Sequence, residues 1–323
     1  MELRLDEIDK KIICELDLNC RIPLSQLAKK LKTSRNVITY RIKNLEENGM
    51  ISKYICAINL GVLGYKTYKI YFKIQNQSQD FEKKFIKSIA DDKKSISFLK
   101  NEGAFDYSVS VAVKSIKELD EFLTELNTKF KSMIKDYFVS IVVYSKVFRF
   151  HKLLLNEKEL TPKIEKYSGE EKRIEIDDKD RKVINELSQN SNLSLVALAK
   201  RTGLSIDVIK YRLKYLNENK IIYYRAMLNF DKLGYYHYVM LLKLRMTTRE
   251  DEERLVEWCA EKNNVLYCMK RIGYFDFEVH TAIKDIGELN SFISGFKTEF
   301  GTIINSYETI INSEVLKLNY NVF

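Results

Sequence analysis

Apolar residues recur at helical spacing in two blocks of the chain, residues 5–52 and 176–223. In the first block they form three short runs: Ile8, Ile12, Ile13 and Leu16; Leu24, Leu27 and Leu31; and Val37, Ile38, Ile42 and Leu45. Polar breaks separate the runs, and Ser34 is well placed to cap the third helix. The pattern predicts three short helices, followed by a turn and a β-wing that extends to Asn59.

The break before the third helix differs between the two blocks. Gly203 stands in the second block where the first has Lys32. A helix C-terminus often needs a left-handed residue at this point, and glycine adopts that conformation freely. We therefore expect Lys32 to be left-handed too, at a cost of about 1 kcal/mol.

Each block is followed by a segment whose pattern changes to alternating and amphipathic stretches in the order β-α-β-β-α-β. In the first segment we predict strands at 65–75, 95–102, 107–113 and 134–150, with helices at 80–90 and 116–130. In the second we predict strands at 235–245, 265–272, 277–282 and 303–318, with helices at 251–261 and 286–300. This order predicts a ferredoxin-like arrangement for each segment.

The chain therefore contains one architecture twice. Residues 5–16 return as residues 176–187, displaced by 171 positions, and Gly103-Ala104-Phe105-Asp106 returns as Gly273-Tyr274-Phe275-Asp276, displaced by 170. We predict an α+β protein of two tandem units, each a winged helix-turn-helix followed by a ferredoxin-like βαββαβ effector domain. The expected domains are 1–60, 61–150, 175–230 and 231–323, with a charged linker at 151–174.

Composition narrows the class of protein. No run of about 18 apolar residues appears, and the N-terminus has no apolar signal-peptide core. The five cysteines form no CxxC pair, which favours free thiols in a reducing cytoplasm. The net charge of +9 is uneven, with 31 Lys and Arg against 23 Asp and Glu in residues 1–170, and 23 against 22 in residues 171–323. Basic charge in one copy favours unequal contact with a polyanion, although lysine-rich faces also simply keep proteins soluble.

The third helix of each block is predicted to enter the major groove of DNA. Residues four apart share one face of a helix, so Arg35, Thr39 and Lys43 should point outward together, with Asn36 and Tyr40 beside them. Phosphate contacts are expected from the cations around this face, Lys29, Lys30, Arg41 and Lys53. The corresponding DNA-binding residues of the second block are Lys200, Arg201, Lys210, Tyr211, Arg212 and Lys214.

The second block changes the residues that would read bases. Arg35-Asn36 is replaced by Ile206-Asp207, and an aspartate near the helix start would repel phosphate, although it could accept a hydrogen bond from cytosine. We expect this block to read a different half-site or to bind more weakly. A protein-binding role for both helical blocks is the alternative.

These motifs resemble the Lrp/AsnC family of leucine-responsive, or feast/famine, transcriptional regulators. The resemblance rests on the Leu-Asp-x-x-Asp-x-x-Ile-Ile-x-x-Leu start at Leu5, the run from Ser34 to Ile51, and Leu63-Gly64-Tyr65. It covers nearly the whole chain twice, except the linker. The second copy departs from it at Asn192, in place of Arg21, and at Lys220, in place of Gly49. The resemblance implies double-stranded DNA as partner, pairing of the two effector domains within the chain, and further homo-oligomers.

The resemblance also implies an amino-acid effector site, marked by a Gly-x-aromatic-Asp turn. Here the residues would be Gly103, Phe105, Asp106, Gly273, Phe275 and Asp276. An aspartate beside exposed amides could hold the ammonium of an amino acid. The alternative is that the aspartates only close their turns through backbone hydrogen bonds.

Catalysis has little support in the sequence. The three histidines, His151, His237 and His280, lie in non-equivalent places without a matched catalytic motif, and Cys259, Cys268 and His280 fit no zinc spacing. We therefore expect no enzyme activity, no metal and no cofactor. Two alternatives stay open: a siroheme decarboxylase-like tetrapyrrole enzyme, whose family shares the two-part architecture, and a non-specific architectural DNA-binding protein. The first is disfavoured because no His/Arg cluster is visible in the sequence.

Overall fold

The computed structural model describes residues 5–75, 78–148, 150–155, 165–168 and 173–323. The predicted linker lies partly outside these residues. The helices are α1 (Glu7–Leu18), α2 (Leu24–Lys30), α3 (Arg35–Glu47), α4 (Gln79–Asp91), α5 (Ile116–Phe130), α6 (His151–Leu155), α7 (Asp178–Gln189), α8 (Leu195–Thr202), α9 (Ile206–Glu218), α10 (Arg249–Glu261) and α11 (Ile286–Phe300). The strands are β1 (Ile51–Ile58), β2 (Lys66–Ile74), β3 (Ser95–Gly103), β4 (Tyr107–Val113), β5 (Ile134–Val147), β6 (Glu165–Ser168), β7 (Ile222–Leu228), β8 (Tyr236–Leu244), β9 (Val265–Gly273), β10 (Phe277–Ile283) and β11 (Ile304–Leu318).

The helical blocks form two heads, head 1 (α1–α3) and head 2 (α7–α9), in which a side chain caps the start of each helix except α2, which follows Pro23. Ser34 accepts a hydrogen bond from the Val37 amide at the start of α3, as predicted, and Ser205 accepts one from the Val208 amide at the start of α9. Lys32 is left-handed with φ 52°, as predicted from Gly203, whose φ is 71°. Lys220 is also left-handed, at φ 53°, in the position of Gly49. The second head therefore keeps the turn geometry without the glycine.

The strand after each head is not a free wing. β1 pairs antiparallel with β7, so the strand that follows head 1 forms a two-stranded sheet with the strand that follows head 2. The equivalent residues Cys20 and Ser191 meet across the same interface, 3.5 Å apart between Sγ and Oγ. A residue that contacts its own counterpart lies on a two-fold axis, so the two heads form an internal pseudo-dimer.

The remaining strands form one closed barrel instead of two separate ferredoxin-like sheets. Each copy keeps the predicted β-α-β-β-α-β order. The strands of each copy are neighbours in the barrel, in the order β5-β2-β4-β3 for the first copy and β11-β8-β10-β9 for the second. The last strand of each copy pairs with a strand of the other copy, β11 with β3 and β5 with β9. The two four-stranded sheets thus join edge to edge into one barrel, which leaves fewer unpaired strand edges.

Alternation along the barrel strands divides residues between two environments. On β2, Tyr68, Ile70 and Phe72 pack under α4 and α5, whereas Lys69 and Tyr71 face the barrel interior. The same alternation in β10 points Phe277 and Val279 toward α10 and α11, and Glu278 and His280 inward. The barrel interior therefore receives residues from both copies.

Candidate functional site: the heads and the barrel interior

One face of α3 is open to solvent. Ile38 and Leu45 are buried against the head, whereas the groove face is exposed and consists of Arg35, Asn36, Thr39, Tyr40 and Lys43. Tyr40 and its counterpart Tyr211 are 68% and 64% exposed, large values for aromatic residues. No carboxylate in the described part of the chain lies within ion-pair distance of Arg35. The structure thus leaves the predicted base-reading side chains available.

Arg41 has a structural role that the sequence pattern did not reveal. Its Nη1 lies 2.7 Å from Asp6 and 2.8 Å from Asp9, the two residues of the α1 capping box. Arg212 repeats the arrangement in head 2, 2.8 Å from Asp177 and 3.4 Å from Asp180. These arginines hold the third helix to the start of the first, and their role as phosphate contacts stays a prediction.

Other predicted phosphate contacts also have partners. Lys30 lies 2.7 Å from Glu15, and Arg201 lies 3.4 Å from the equivalent Glu186. Lys53 donates to the Leu318 carbonyl of β11 at 3.3 Å, so it bridges head and barrel. The exposed i,i+4 pairs of Lys43 with Glu47 and Lys214 with Glu218 are weak and exchange with solvent readily.

Head 2 presents a different charge pattern. Asp207 lies at the start of α9 and its carboxylate is 3.4 Å from Lys210, which occupies the place of Thr39. This exposed contact partly neutralises the one new cation on that face. Lys200 and Tyr211 remain exposed, but no residue replaces the Arg35-Asn36 pair.

The glycines of the Gly-x-aromatic-Asp turns have a structural explanation. A Cβ on Gly273 would lie 2.6 Å from the Val139 carbonyl of β5, and one on Gly103 would lie 2.8 Å from the Thr309 carbonyl of β11. The glycines, at φ 140° and 112°, thus admit the last strand of the other copy. This close approach across the copies explains why both turns begin with glycine.

The aromatic and acidic residues of the same turns face the protein. Phe105 and Phe275 are each 2% exposed, and their ring centroids lie 5.8 Å apart inside the barrel end. The Asp106 carboxylate accepts from the Ile74 amide at 2.7 Å, and Asp276 accepts from the Leu244 amide at 2.9 Å. These hydrogen bonds match the alternative in which the aspartates fix the local backbone, here to the end of the neighbouring strand. An effector role for the turns stays a prediction.

The barrel interior contains a cluster of ionisable residues that no sequence motif indicated. The interior cluster comprises Lys69, Tyr71, His237, Tyr267, Arg271, Glu278, His280 and Asn312. Arg271 and Glu278 are 0% exposed, and Arg271 Nη2 lies 2.6 Å from Glu278 Oε2. Burial raises the pKa of Glu278, but Arg271 and His280 outweigh it and lower that pKa below its ordinary value. Glu278 therefore stays ionised in the barrel.

The two histidines form a directed chain of hydrogen bonds. Burial lowers the pKa of both His237 and His280, so both rings are neutral at pH 7. His280 Nε2 donates to Glu278, which leaves its Nδ1 to accept from His237 Nε2 at 2.9 Å. His237 Nδ1 then accepts from Asn312 at 3.1 Å. Such a chain can hold or move a proton between Glu278 and the partly exposed His237.

This cluster comes from differences between the copies. The first copy has Asn101, Ser108, Ser110 and Thr67 where the second has Arg271, Glu278, His280 and His237. Lys69 and Tyr71 come from the first copy, where the second has Val239 and Leu241. The signal that could have found it was ionisable residues at alternate positions of strands whose other residues are apolar. Cys259 and Cys268 face the helix side of the barrel instead, away from His280.

Lys69 is the most unusual member of the cluster. It is 3% exposed, and its Nζ lies 5.7 Å from the centroid of the Tyr71 ring. Burial lowers the pKa of Lys69 to about 8, although Glu278 partly opposes the shift.

We expect Lys69→Met to raise the free energy of unfolding at pH 7 by about 2–3 kcal/mol, because the buried ammonium is replaced by an apolar chain. Between pH 8 and about 10.5, Lys69 of the native protein loses its proton while the unfolded chain keeps it, so the free energy of unfolding of the wild type rises with pH. The difference in stability between Lys69→Met and the wild type therefore becomes smaller in this range. Urea unfolding at pH 7 and 9.5 measures both effects. Lys66→Met, at an exposed position on β2, is the control and should change little.

Comparisons with known proteins agree with the two heads. The winged helix-turn-helix DNA-binding family matches residues 5–52 and 176–223. The HTH-type transcriptional regulator FL11 of Pyrococcus furiosus is 31% identical over 121 residues, 37% of this chain and 78% of that protein. The chain belongs to the Lrp/AsnC family of transcriptional regulators. The DNA-binding transcriptional activator DecR of Escherichia coli K12 is a further relative, 26% identical over 81% of its length.

Among solved structures, the siroheme decarboxylase NirDL shares the fold over both copies. The TM-score is 0.61, with 97% of this chain and 93% of NirDL covered at 15% identity. This finding contradicts our expectation that the chain is not an enzyme, because an enzyme has the same double architecture from end to end. At this identity the likeness establishes the fold alone.

The described residues also bear on membrane and metal binding. No helix among them is long and apolar enough to cross a membrane. No group of His, Cys, Asp and Glu side chains in these parts of the chain is arranged to hold a metal ion. The five cysteines are buried there as thiols, without a disulfide between them.

Proposed function

We propose that this Lrp/AsnC family member grips one DNA segment with both heads, and that head 1 supplies the sequence preference. The observation that supports this proposal most strongly is the exposed groove face of α3, on which Arg35 and Asn36 are open to solvent. Arginine and asparagine pair bidentately with guanine and adenine, each pair discriminating by about 1–3 kcal/mol. Arg41 and Arg212, which hold the helices of each head together, preserve the fold of this surface.

The internal pseudo-dimer supports the use of both heads on one duplex. The β1–β7 sheet fixes them about a pseudo-two-fold axis, as expected for an imperfect palindrome with half-sites about one helical turn, ~34 Å, apart. Asp207 opposes phosphate in head 2, so its half-site should contribute less affinity. An amino-acid or other small effector, and assembly into larger oligomers, would act by changing head spacing.

We expect Asn36→Ala to lower affinity for the preferred duplex by about tenfold to a hundredfold and to relax preference at one position. Lys29→Ala should instead weaken binding to all duplexes alike and flatten the salt dependence. Fluorescence anisotropy with preferred and scrambled duplexes, at several salt concentrations, separates the two effects. The matched variant Lys200→Ala in head 2 should have the smaller effect. Equal binding of preferred and scrambled duplexes by the wild type would instead indicate the architectural class.

A second function is favoured by two observations together. The chain shares its full-length fold with NirDL, and the barrel interior contains the His/Arg cluster whose apparent absence had disfavoured this class. We propose that the barrel carries a decarboxylase-type activity on a carboxylated tetrapyrrole. Mass spectrometry of siroheme after incubation with the protein tests it, because decarboxylation removes CO2. His280→Ser, which installs the residue of the first copy, should abolish that loss, and unchanged siroheme with the wild type would rule the activity out.

A further inference from the structure

The interior cluster contains more positive than negative charge. Lys69 and Arg271 are both buried in the barrel, and Glu278 is the one carboxylate within ion-pair distance of either among the described residues. Both histidines are neutral, as their lowered pKa values indicate. A buried cation without a partner is costly and is seldom kept for stability alone. The interior cluster therefore has one positive charge that no carboxylate among the described residues balances.

Both cations have donors without a hydrogen-bond acceptor among the described residues. Arg271 Nη1 donates toward the Tyr71 hydroxyl at 3.4 Å, whereas its Nε has no acceptor among the described residues, and its Nη2 meets Glu278 outside hydrogen-bonding geometry. Lys69 Nζ and Arg271 Cζ lie 5.7 and 5.3 Å from the centroid of the same Tyr71 ring, so the two cations share one neighbour. Two cationic side chains, each more than nine-tenths buried, thus present unused donors inside the barrel.

We propose that the barrel interior binds a carboxylate group between the Lys69 ammonium and the free Nε edge of Arg271. A guanidinium edge matches the two oxygens of a carboxylate, and a nearby ammonium adds charge without restricting direction. The negative charge of the ligand would balance the second cation of the cluster. Glu278 would keep its contacts with Arg271 and His280. Nothing in the family match or the shared fold assigns these two residues together.

The strands beside Lys69 favour a ligand with further polar groups. Ser110 of β4 and Ser140 of β5 are its register partners, so their small hydroxyl side chains lie on the same inward face. Ser110 is 8% and Ser140 3% exposed. The wall beside Lys69 is therefore small and polar, whereas Tyr71 and Phe105 of the same copy fill the turn end.

The barrel geometry indicates where a ligand enters. Phe105, Phe275 and Tyr71 pack together at the turn end, with Tyr71 and Phe105 centroids 5.1 Å apart, and close that end. At the other end His237 and Asn312 are only partly buried, and the Phe230 ring lies 5.9 Å from the His237 ring. Phe230 belongs to the connection from head 2, so entry lies at the junction of heads and barrel.

The proposal predicts a pH dependence with a defined sign. Burial lowers the pKa of Lys69 to about 8. The ionisable groups packed around it are Glu278 and His280 of β10, Arg271 of β9, His237 of β8 and Tyr71 of its own strand. Affinity for the carboxylate should fall as pH rises through about 8, because the ammonium becomes a neutral amine.

The carboxylate could belong to a small free acid or to a side chain of a tetrapyrrole. The inference concerns the cluster that favours the second proposed function, but it holds for either source and does not require decarboxylation. Acetate and succinate probe the first source, and uroporphyrin III the second.

The experiment is isothermal titration of the full chain with each probe at pH 7. Acetate and succinate reach about 10 mM, enough to saturate a site of millimolar Kd. We expect at least one probe to bind, Lys69→Met to weaken it by about tenfold to a hundredfold, and the control Lys66→Met to bind as the wild type does. Circular dichroism confirms that both variants fold, and loss of the interior ammonium favours folding of the first.

The outcomes separate the proposals. Binding of acetate or succinate but not uroporphyrin supports the site and removes support from the tetrapyrrole activity. Binding of uroporphyrin that depends on Lys69 supports both. Failure of all three probes to bind, or binding that Lys69→Met leaves unchanged, overturns the carboxylate site without affecting the DNA-binding proposal.

Discussion

Replacing Arg271 with asparagine is expected to destabilise the protein by about 3–5 kcal/mol, because it leaves Glu278 charged and buried without its main partner. His280 and Lys69 can compensate only in part. Guanidinium unfolding measures the loss, and its midpoint should shift without a change of slope.

The first copy supplies the matched control. Asn101 and Ser108 occupy the equivalent positions and hydrogen-bond at 3.3 Å between Nδ2 and Oγ. The double variant Arg271→Asn/Glu278→Ser installs this neutral pair and should recover most of the lost stability, with a coupling energy of about 2 kcal/mol or more. Simple addition of the two single effects would show that the ion pair does not control the stability of the barrel interior.

Gly273→Ala is expected to destabilise the protein by about 4 kcal/mol, because the new Cβ would lie 2.6 Å from the Val139 carbonyl and 2.8 Å from Ser140 Cα. Backbone atoms on both sides cannot move without separating β5 from β9. Thermal unfolding of the variant measures the effect.

Gly203→Ala isolates the backbone contribution. Gly203 is also left-handed, at φ 71°, but no described atom lies within 4 Å of the position that an alanine Cβ would take there. This variant should lose only about 1 kcal/mol. Equal losses at the two glycines would mean that close approach of the other copy is not what the Gly-x-aromatic-Asp turn requires.

Local patterns in the sequence predicted local structure well. Helical spacing and Ser34 located α3 and its cap, and comparison of Lys32 with Gly203 predicted a left-handed lysine. Residues close together in the sequence determine these features, and for Lys32 the second copy supplied the comparison. The order of helices and strands in each copy followed for the same reason.

Features that depend on contacts between the copies were not predictable from local patterns. The pairing of β1 with β7, and of β5 with β9, joins residues more than 100 positions apart, and no periodicity records such partners. The ion pairs of Arg41 were not anticipated because its partners Asp6 and Asp9 lie at the start of another helix. The interior cluster was missed because its residues lie on separate strands, and the pattern of a single strand does not show which faces enclose a common interior.

Duplication within one chain explains how two functions could coexist. A symmetric dimer would repeat every interior residue, and two copies of Arg271 and Glu278 would face each other in the barrel. Here the first copy keeps Asn101 and Ser108, and it also has the proposed base-reading pair Arg35-Asn36. The residues that distinguish the copies are therefore those of the proposed DNA and carboxylate sites.

The central claim is that one chain reads an asymmetric DNA site through unequal heads. Selection of bound duplexes from a random pool, with the wild type and with Asn36→Ala, tests it most directly. We predict a preferred site with two unlike half-sites about one helical turn apart, in which Asn36→Ala erases the stronger half and leaves the weaker one. Recovery of no preferred sequence, or of a symmetric site that Asn36→Ala leaves unchanged, would contradict the account.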